Sequence, residues 1–182
     1  MVSERGRNFS GAGQVSLKSS KLRVQKAEKQ DLVEIASLHA RVFGPGRFAR
    51  SAYRVREGTG KLSDFCQVGF LDKRLVAALN FTEVMIGGKK GALLLGPFVV
   101  VPDTGQKGLG ASIMQQALLM TRNSGISLVV LVGDYSYYKR FGFKPVPAGQ
   151  ITFPGPVDPE RILALENVEG SLDTFQGRLQ AT

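Results

Sequence analysis

Two groups of residues between Leu95 and Pro145 have the types and spacing to do chemistry. The first is the loop Asp103-Thr104-Gly105-Gln106-Lys107-Gly108-Leu109-Gly110, which follows the apolar run ending Phe98-Val99-Val100-Val101-Pro102. Glycines at 105, 108 and 110 let backbone N–H groups come close to a ligand. A helix begins directly after them and presents the positive end of its dipole. With Lys107 adding a charge, the loop suits an anion such as a pyrophosphate. The second group is Val132-Gly133-Asp134-Tyr135-Ser136-Tyr137-Tyr138-Lys139-Arg140-Phe141-Gly142-Phe143, with paired tyrosines ahead of an Arg-Phe-Gly-Phe turn. A dinucleotide loop would need G-x-G-x-x-G with an acidic residue about 20 positions on, and a Walker A loop G-x-x-x-x-G-K-[ST]; neither spacing is present.

Other reactive side chains are sparse. His39 falls on the inner edge of a helical pattern and reads as a buried, partnered histidine. Cys66 is the single cysteine, and no cue for thiolate activation surrounds it, so it reads as core. One cysteine and one histidine cannot supply four ligands, which excludes a Cys-based zinc site, and no metal is expected. Asp134 stands at a strand-to-helix junction and reads as a cap for the helix at Tyr135. Arg47, Arg50 and Arg54 fall on one face of a helix over Arg47–Glu57 and read as a solvated face, with contact to an acidic ligand or partner as the alternative.

The elements that must position these residues follow from periodicity. Leu22–Lys26 alternates as a strand. Asp31 caps a helix carrying Leu32, Ile35, Ala36, His39 and Val42 at spacings of three and four, which Gly44-Pro45-Gly46 ends. Phe65–Leu71 and Leu75–Met85 are strands joined by a turn at Asp72-Lys73, and Gly87–Gly91 is a second turn. Ala92–Val101 is a strand buried on both faces. Gly108–Asn123 is a helix closed by Gly125, Leu128–Val132 a central strand, and Tyr135–Phe141 a short helix. Five prolines between 145 and 159 forbid a long helix, and Ile151–Phe153 and Ile162–Leu165 are candidate strands. The fold class is α/β, in one domain over residues 21–182, after a loose basic tail at residues 1–20.

This strand, Gly-rich loop, helix, strand and Tyr-x-x-x-Gly-Phe succession, here Tyr138 to Phe143, resembles the GNAT superfamily of acyl-CoA N-acyltransferases, and within it the YhbS-like subgroup. The resemblance covers about residues 22–147. One departure is local: with Gly108 and Gly110 as the motif's two glycines, its leading Gln or Arg falls on Gly105, and Gln106 comes one place later. The resemblance implies a mixed, mostly antiparallel central sheet flanked by helices, with the fourth and fifth strands splayed apart. It implies acetyl-CoA or another acyl-CoA as co-substrate and no metal. Phe98, Val99 and Val100 would line the pantetheine arm, and Gly105, Gln106, Lys107, Gly108, Leu109, Gly110 and Ala111 would hold the pyrophosphate. Tyr138 would protonate the leaving thiolate, since a phenol near pKa 10 can donate to a thiolate of similar basicity. A backbone N–H near Phe98 to Val100 would stabilise the oxyanion. No Asp or Glu lies between Val84 and Pro102, so Glu83 is the candidate base, through water.

The acceptor is an amine, a small molecule or a peptide. Two readings compete with direct transfer from acyl-CoA: a non-catalytic acyl-CoA-binding module, and an acyltransferase whose donor is an acidic acyl carrier protein. The carrier reading draws on charge. The net charge is +9, and residues 1–61 hold 13 Lys and Arg against 5 Asp and Glu, so the excess sits in the first third. No aromatic interleaving or DNA-binding motif accompanies it, so nucleic acid is not an expected partner. No apolar run approaches the roughly 20 residues of a membrane helix, and the expected location is cytoplasmic. The fold is compatible with a homodimer.

Overall fold

A computed structural model describes residues 22–57, 62–102 and 108–182. The tail expected at residues 1–20 and five residues of the Gly-rich loop, Asp103, Thr104, Gly105, Gln106 and Lys107, lie outside the described residues.

The strands are β1 (Leu22–Lys26), β2 (Gln67–Leu71), β3 (Arg74–Ile86), β4 (Lys89–Val100), β5 (Leu128–Val132), β6 (Lys144–Pro145), β7 (Ile151–Thr152), β8 (Ile162–Glu166) and β9 (Gly177–Ala181). The helices are α1 (Leu32–Phe43), α2 (Ser51–Arg56), α3 (Leu109–Arg122) and α4 (Tyr135–Tyr138). The sheet runs β1-β2-β3-β4-β5-β8-β6, and β9 joins it at β3. Among the described residues only β4–β5 and β7–β9 pair in parallel. β2 takes Arg74 to Leu79 of β3 and β9 takes Val84 to Ile86, so the two strands share the edge of β3 opposite β4. This is the mixed, mostly antiparallel sheet that the sequence motif implies.

The long β3–β4 hairpin is the centre of the molecule. Asp72 adopts φ 56 in the β2–β3 turn, a conformation a short polar side chain tolerates. β4 is buried from Ala92 to Pro97, because β3 and β5 flank it and core packs on both of its faces. One core cluster joins Ile35 and Leu38 of α1 and Ile113 and Met114 of α3 to the sheet. A second joins Ala52 and Val55 of α2 to Val84, Ile86, Leu94, Val130, Phe175 and Leu179.

Three local expectations are corrected. The helix expected over Arg47–Glu57 is broken: a 3-10 turn spans Pro45–Ala49, Arg50 is extended at φ −70, ψ 141, and α2 starts only at Ser51. Arg47, Arg50 and Arg54 therefore do not share a face. Asp31 precedes α1, but its carboxylate accepts from the Glu28 N–H at 2.8 Å and bonds no N–H of α1. Asp134 caps α4 through its carbonyl, which accepts from the N–H groups of Tyr137 and Tyr138, while its exposed carboxylate pairs with Arg161 at 3.3 Å. Among the described residues no helix is long and apolar enough to cross a membrane.

Candidate active site

β4 and β5 pair only at Ala92–Leu128, Leu93–Val129 and Leu94–Val130. Beyond Leu94 the strands part, and β4 carries a bulge: Leu95 lies opposite Phe81 and Phe98 opposite Leu79, so Gly96 and Pro97 together face Asn80. The opening holds a cavity of about 100 Å³ lined by Leu94, Leu95, Gly96, Pro97 and Phe98 on one side and Val132 and Tyr138 on the other. Phe43 of α1 and Arg50, Ser51 and Ala52 close it.

Tyr138 reaches this cavity because Gly133 has no side chain. A Cβ at Gly133 would overlap the Tyr138 ring. The ring also meets Tyr137 edge-on at 4.9 Å and Phe143 at 5.7 Å. Burial pushes the Tyr138 phenol up to about 12, with Tyr137 and Asp134 adding to the effect. It is a neutral O–H donor at any working pH.

A path leads from this cavity to the start of α3. Phe98 and Val100 are half-buried and Val99 is buried. A Cβ on Gly110 would lie 3.4 Å from Val100 Cγ2, 3.5 Å from Phe98 Cζ and 3.6 Å from the Tyr137 hydroxyl. The glycine keeps α3 close to β4 and leaves its first turn open. Gly108, at φ 83, is the N-cap, and no acidic residue stands in the first turn. The N–H groups of Leu109, Gly110 and Ala111 precede the first intrahelical bond, Ser112 N–H to Gly108 O at 3.0 Å.

The larger cavity, about 610 Å³, lies beside the first, between α1, α2 and β3. Leu32, Ile35, Ala36 and His39 of α1, then Arg47, then Tyr53, Arg56 and Glu57, and finally Asn80 line it. The two cavities are lined by neighbouring residues. Ala52 lines one and Tyr53 the other, and Phe43 lines the small cavity while its ring meets His39 at 5.8 Å. His39 is only 4% exposed and its Nε2 has no hydrogen-bond partner, so the expected burial holds but the expected partner is missing. Burial, with Arg56 and Arg47 nearby, lowers His39 from 6.5 to about 4.

The three arginines serve different neighbours. Arg47 lines the large cavity and donates to the Gly44 carbonyl at 2.9 Å, Arg50 lies 4.3 Å over the Phe43 ring, and Arg54 covers Gly155. Glu83 is half-buried on β3 opposite Leu93, accepts from the Ser63 hydroxyl at 3.5 Å and lines neither cavity. Cys66 is buried, its thiol pushed up by burial and its sulfur 3.4 Å from the Phe81 carbonyl oxygen. No group of three or more His, Cys, Asp or Glu fit to hold a metal occurs among the described residues. Sequence reasoning missed Asn80, Tyr53, Arg56 and the Gly96-Pro97 bulge. The proline inside a strand was the one local signal, since a strand tolerates proline at a bulge.

The comparisons agree with this architecture. Escherichia coli YhbS, a GNAT family N-acetyltransferase solved with CoA, is 20% identical, with a TM-score of 0.76 over 90% of this chain and 91% of that one. A GNAT family acetyltransferase from Brucella melitensis solved with acetyl-CoA is 27% identical, with a TM-score of 0.61 over 81% of this chain and 97% of that one. Arabidopsis thaliana Naa50, solved with the bisubstrate analogue CoA-Ac-MVNAL, is 16% identical, with a TM-score of 0.55 over 80% of this chain and 98% of that one. No curated protein matches the sequence significantly. The family described as acetyltransferase (GNAT) domain matches residues 23–146, which hold the parted strands, the α3 start and Tyr138, and the chain belongs to that family.

Proposed function

We propose that the protein transfers an acetyl or other acyl group from acyl-CoA to the nitrogen of an amine, within the YhbS-like part of the family. The observation that carries this reading is the opening between β4 and β5, bounded by the Gly96-Pro97 bulge on one side and Tyr138 on the other. An extended thioester arm fits such an opening, running past Phe98, Val99 and Val100 with the pyrophosphate at Gly105 to Ala111. The α3 N-terminus favours that anion.

A neutral amine attacks the thioester carbonyl carbon. A C–N bond forms, and the carbonyl oxygen becomes an oxyanion that a β4 backbone N–H near the bulge stabilises. The C–S bond then breaks. The sulfur takes the Tyr138 phenol proton, and the proton shed by the attacking nitrogen restores the phenol. The proton that the ammonium loses before attack goes to solvent. Glu83 enters only as a remote acceptor through water, since it lines neither cavity.

Thermal unfolding with acetyl-CoA, free CoA and longer acyl-CoAs tests the binding half. At one hundred times the dissociation constant, ligand adds about 2.7 kcal/mol. For a chain of this size that is a shift of roughly 5–11 °C. No shift with any of them sinks the proposal. For the chemical half, Tyr138→Phe should keep the shift and lose roughly 100-fold or more in kcat. Glu83→Gln in the same assay separates the two residues: an unchanged kcat removes Glu83 from the scheme.

A further inference from the structure

The larger cavity is charged in a way that simple amine binding does not require. Among the described residues its wall carries two guanidinium groups, Arg47 and Arg56, against one carboxylate, Glu57. A positively charged lining repels an ammonium group and attracts an anion. The Gly44 carbonyl fixes one guanidinium at the wall, accepting from Arg47 Nη1 at 2.9 Å. His39 lines the same wall, buried and with Nε2 unpartnered. A buried polar atom without a partner costs stability, and a bound ligand is one way to satisfy it. An anion held at the arginines would accept an N–H bond from this imidazole.

We propose that the 610 Å³ cavity is the acceptor site, and that the acceptor is an amine whose far end carries a small anionic group, a carboxylate or a phosphate, held by Arg47, Arg56 and His39. The inference rests on the acyl-transfer reading, because Phe43 and Ala52 of the small cavity adjoin His39 and Tyr53 of the large one, which puts an amine in this cavity beside the parted strands. Asn80 lines the cavity opposite the Gly96-Pro97 bulge, so β3 brings the two sites to one level of the sheet. His39 stays neutral when the cavity is empty, since both arginines and burial oppose its charge. A bound anion offsets that opposition.

Matched amines test this directly. Glycine, β-alanine, 4-aminobutyrate and glycyl-L-phenylalanine are each compared with their methyl esters, phosphoethanolamine with ethanolamine, and spermidine serves as a cation. Turnover is read as thiol release from acetyl-CoA, and binding by calorimetry without it. At least one anionic member should exceed its neutral partner tenfold or more in kcat/KM. The carboxylate and phosphate pairs tell the two anions apart. Arg47→Gln and Arg56→Gln should each remove most of that preference, chiefly through KM, because the grip on the anion is the same before and during reaction. Arg54→Gln, outside both cavities, should keep it, and His39→Asn should weaken it while circular dichroism stays native. Equal or faster turnover of the esters, ethanolamine or spermidine overturns the proposal. So does a preference that survives both arginine variants, or a panel in which no anion binds. Anions that bind in an arginine-dependent way without thiol release would instead keep the anion site and sink the transferase reading.

Discussion

His39 is the residue at which burial and charge act together. Arg47 faces it from the 3-10 turn, Tyr53 and Arg56 from α2, Glu57 from just beyond α2, and Asn80 from β3. Its folded value of about 4 lies below the unfolded 6.5, so between those pH values the unfolded chain holds the extra proton. Stability from this group is therefore complete above about 6.5 and is lost as pH falls toward 4. The full difference is about 3 kcal/mol. The melting temperature of the wild type should fall more steeply than that of His39→Gln between pH 7 and pH 4.5. The gap should be several degrees, at roughly 2–4 °C per kcal/mol for this length. Parallel curves for the two proteins would place the histidine in a wetter, less charged setting than the cavity implies. The sequence placed His39 on the inner face of α1 correctly. It could not show Arg56 and Asn80 converging there from far along the chain, because no local spacing encodes that meeting.

At the scale of elements, the active site depends on where strands stop pairing. The strands β3 and β4 were legible because each is a long, mostly apolar segment bounded by a turn, and β5 because its five residues are a continuous β-branched and Leu run. The parting of β4 from β5 was legible only through the family motif, and its cause, the bulge at Gly96-Pro97, only through an out-of-place proline. The Arg47, Arg50 and Arg54 face was misread because a helical wheel assumes an unbroken helix. Arg50 leaves it to stack on Phe43. The β5–α4 junction shows how tightly such an element is specified. Gly133 donates to the Arg161 carbonyl at 2.9 Å and lies under the Tyr138 ring. Gly133→Ala should push that ring away from the parted strands. We expect kcat to fall by about tenfold or more, as when a catalytic acid is misplaced. The KM for acetyl-CoA should hold, since the α3 start and β4 are untouched. An unchanged kcat would mean that the phenol is not the acid.

Across the whole molecule, the cofactor path and α2 rest on different supports. The α3 start and Phe98 to Val100 pack on the first core cluster, whereas α2 belongs to the second cluster with the last strand, and the small cavity draws on both. That last strand, β9, was not legible. Gly177–Ala181 is short, and it becomes a strand only by pairing with Val84 to Ile86 and with β7, itself two residues long. Leu179 is fully buried there, in the cluster that also holds Ala52 and Val55 of α2. Leu179→Ala should cost about 2–5 kcal/mol through lost burial and the cavity left behind. Its functional effect should be unequal. α2 carries Tyr53 and Arg56, so loosening its support should raise the KM for the acceptor amine severalfold. Acetyl-CoA should still raise the melting temperature by nearly as much as in the wild type, since the α3 start and Phe98 to Val100 pack on the other cluster. An equal loss for both ligands would mean that the clusters act as one cooperative core, and no loss for either would mean that α2 is held from the α1 side alone.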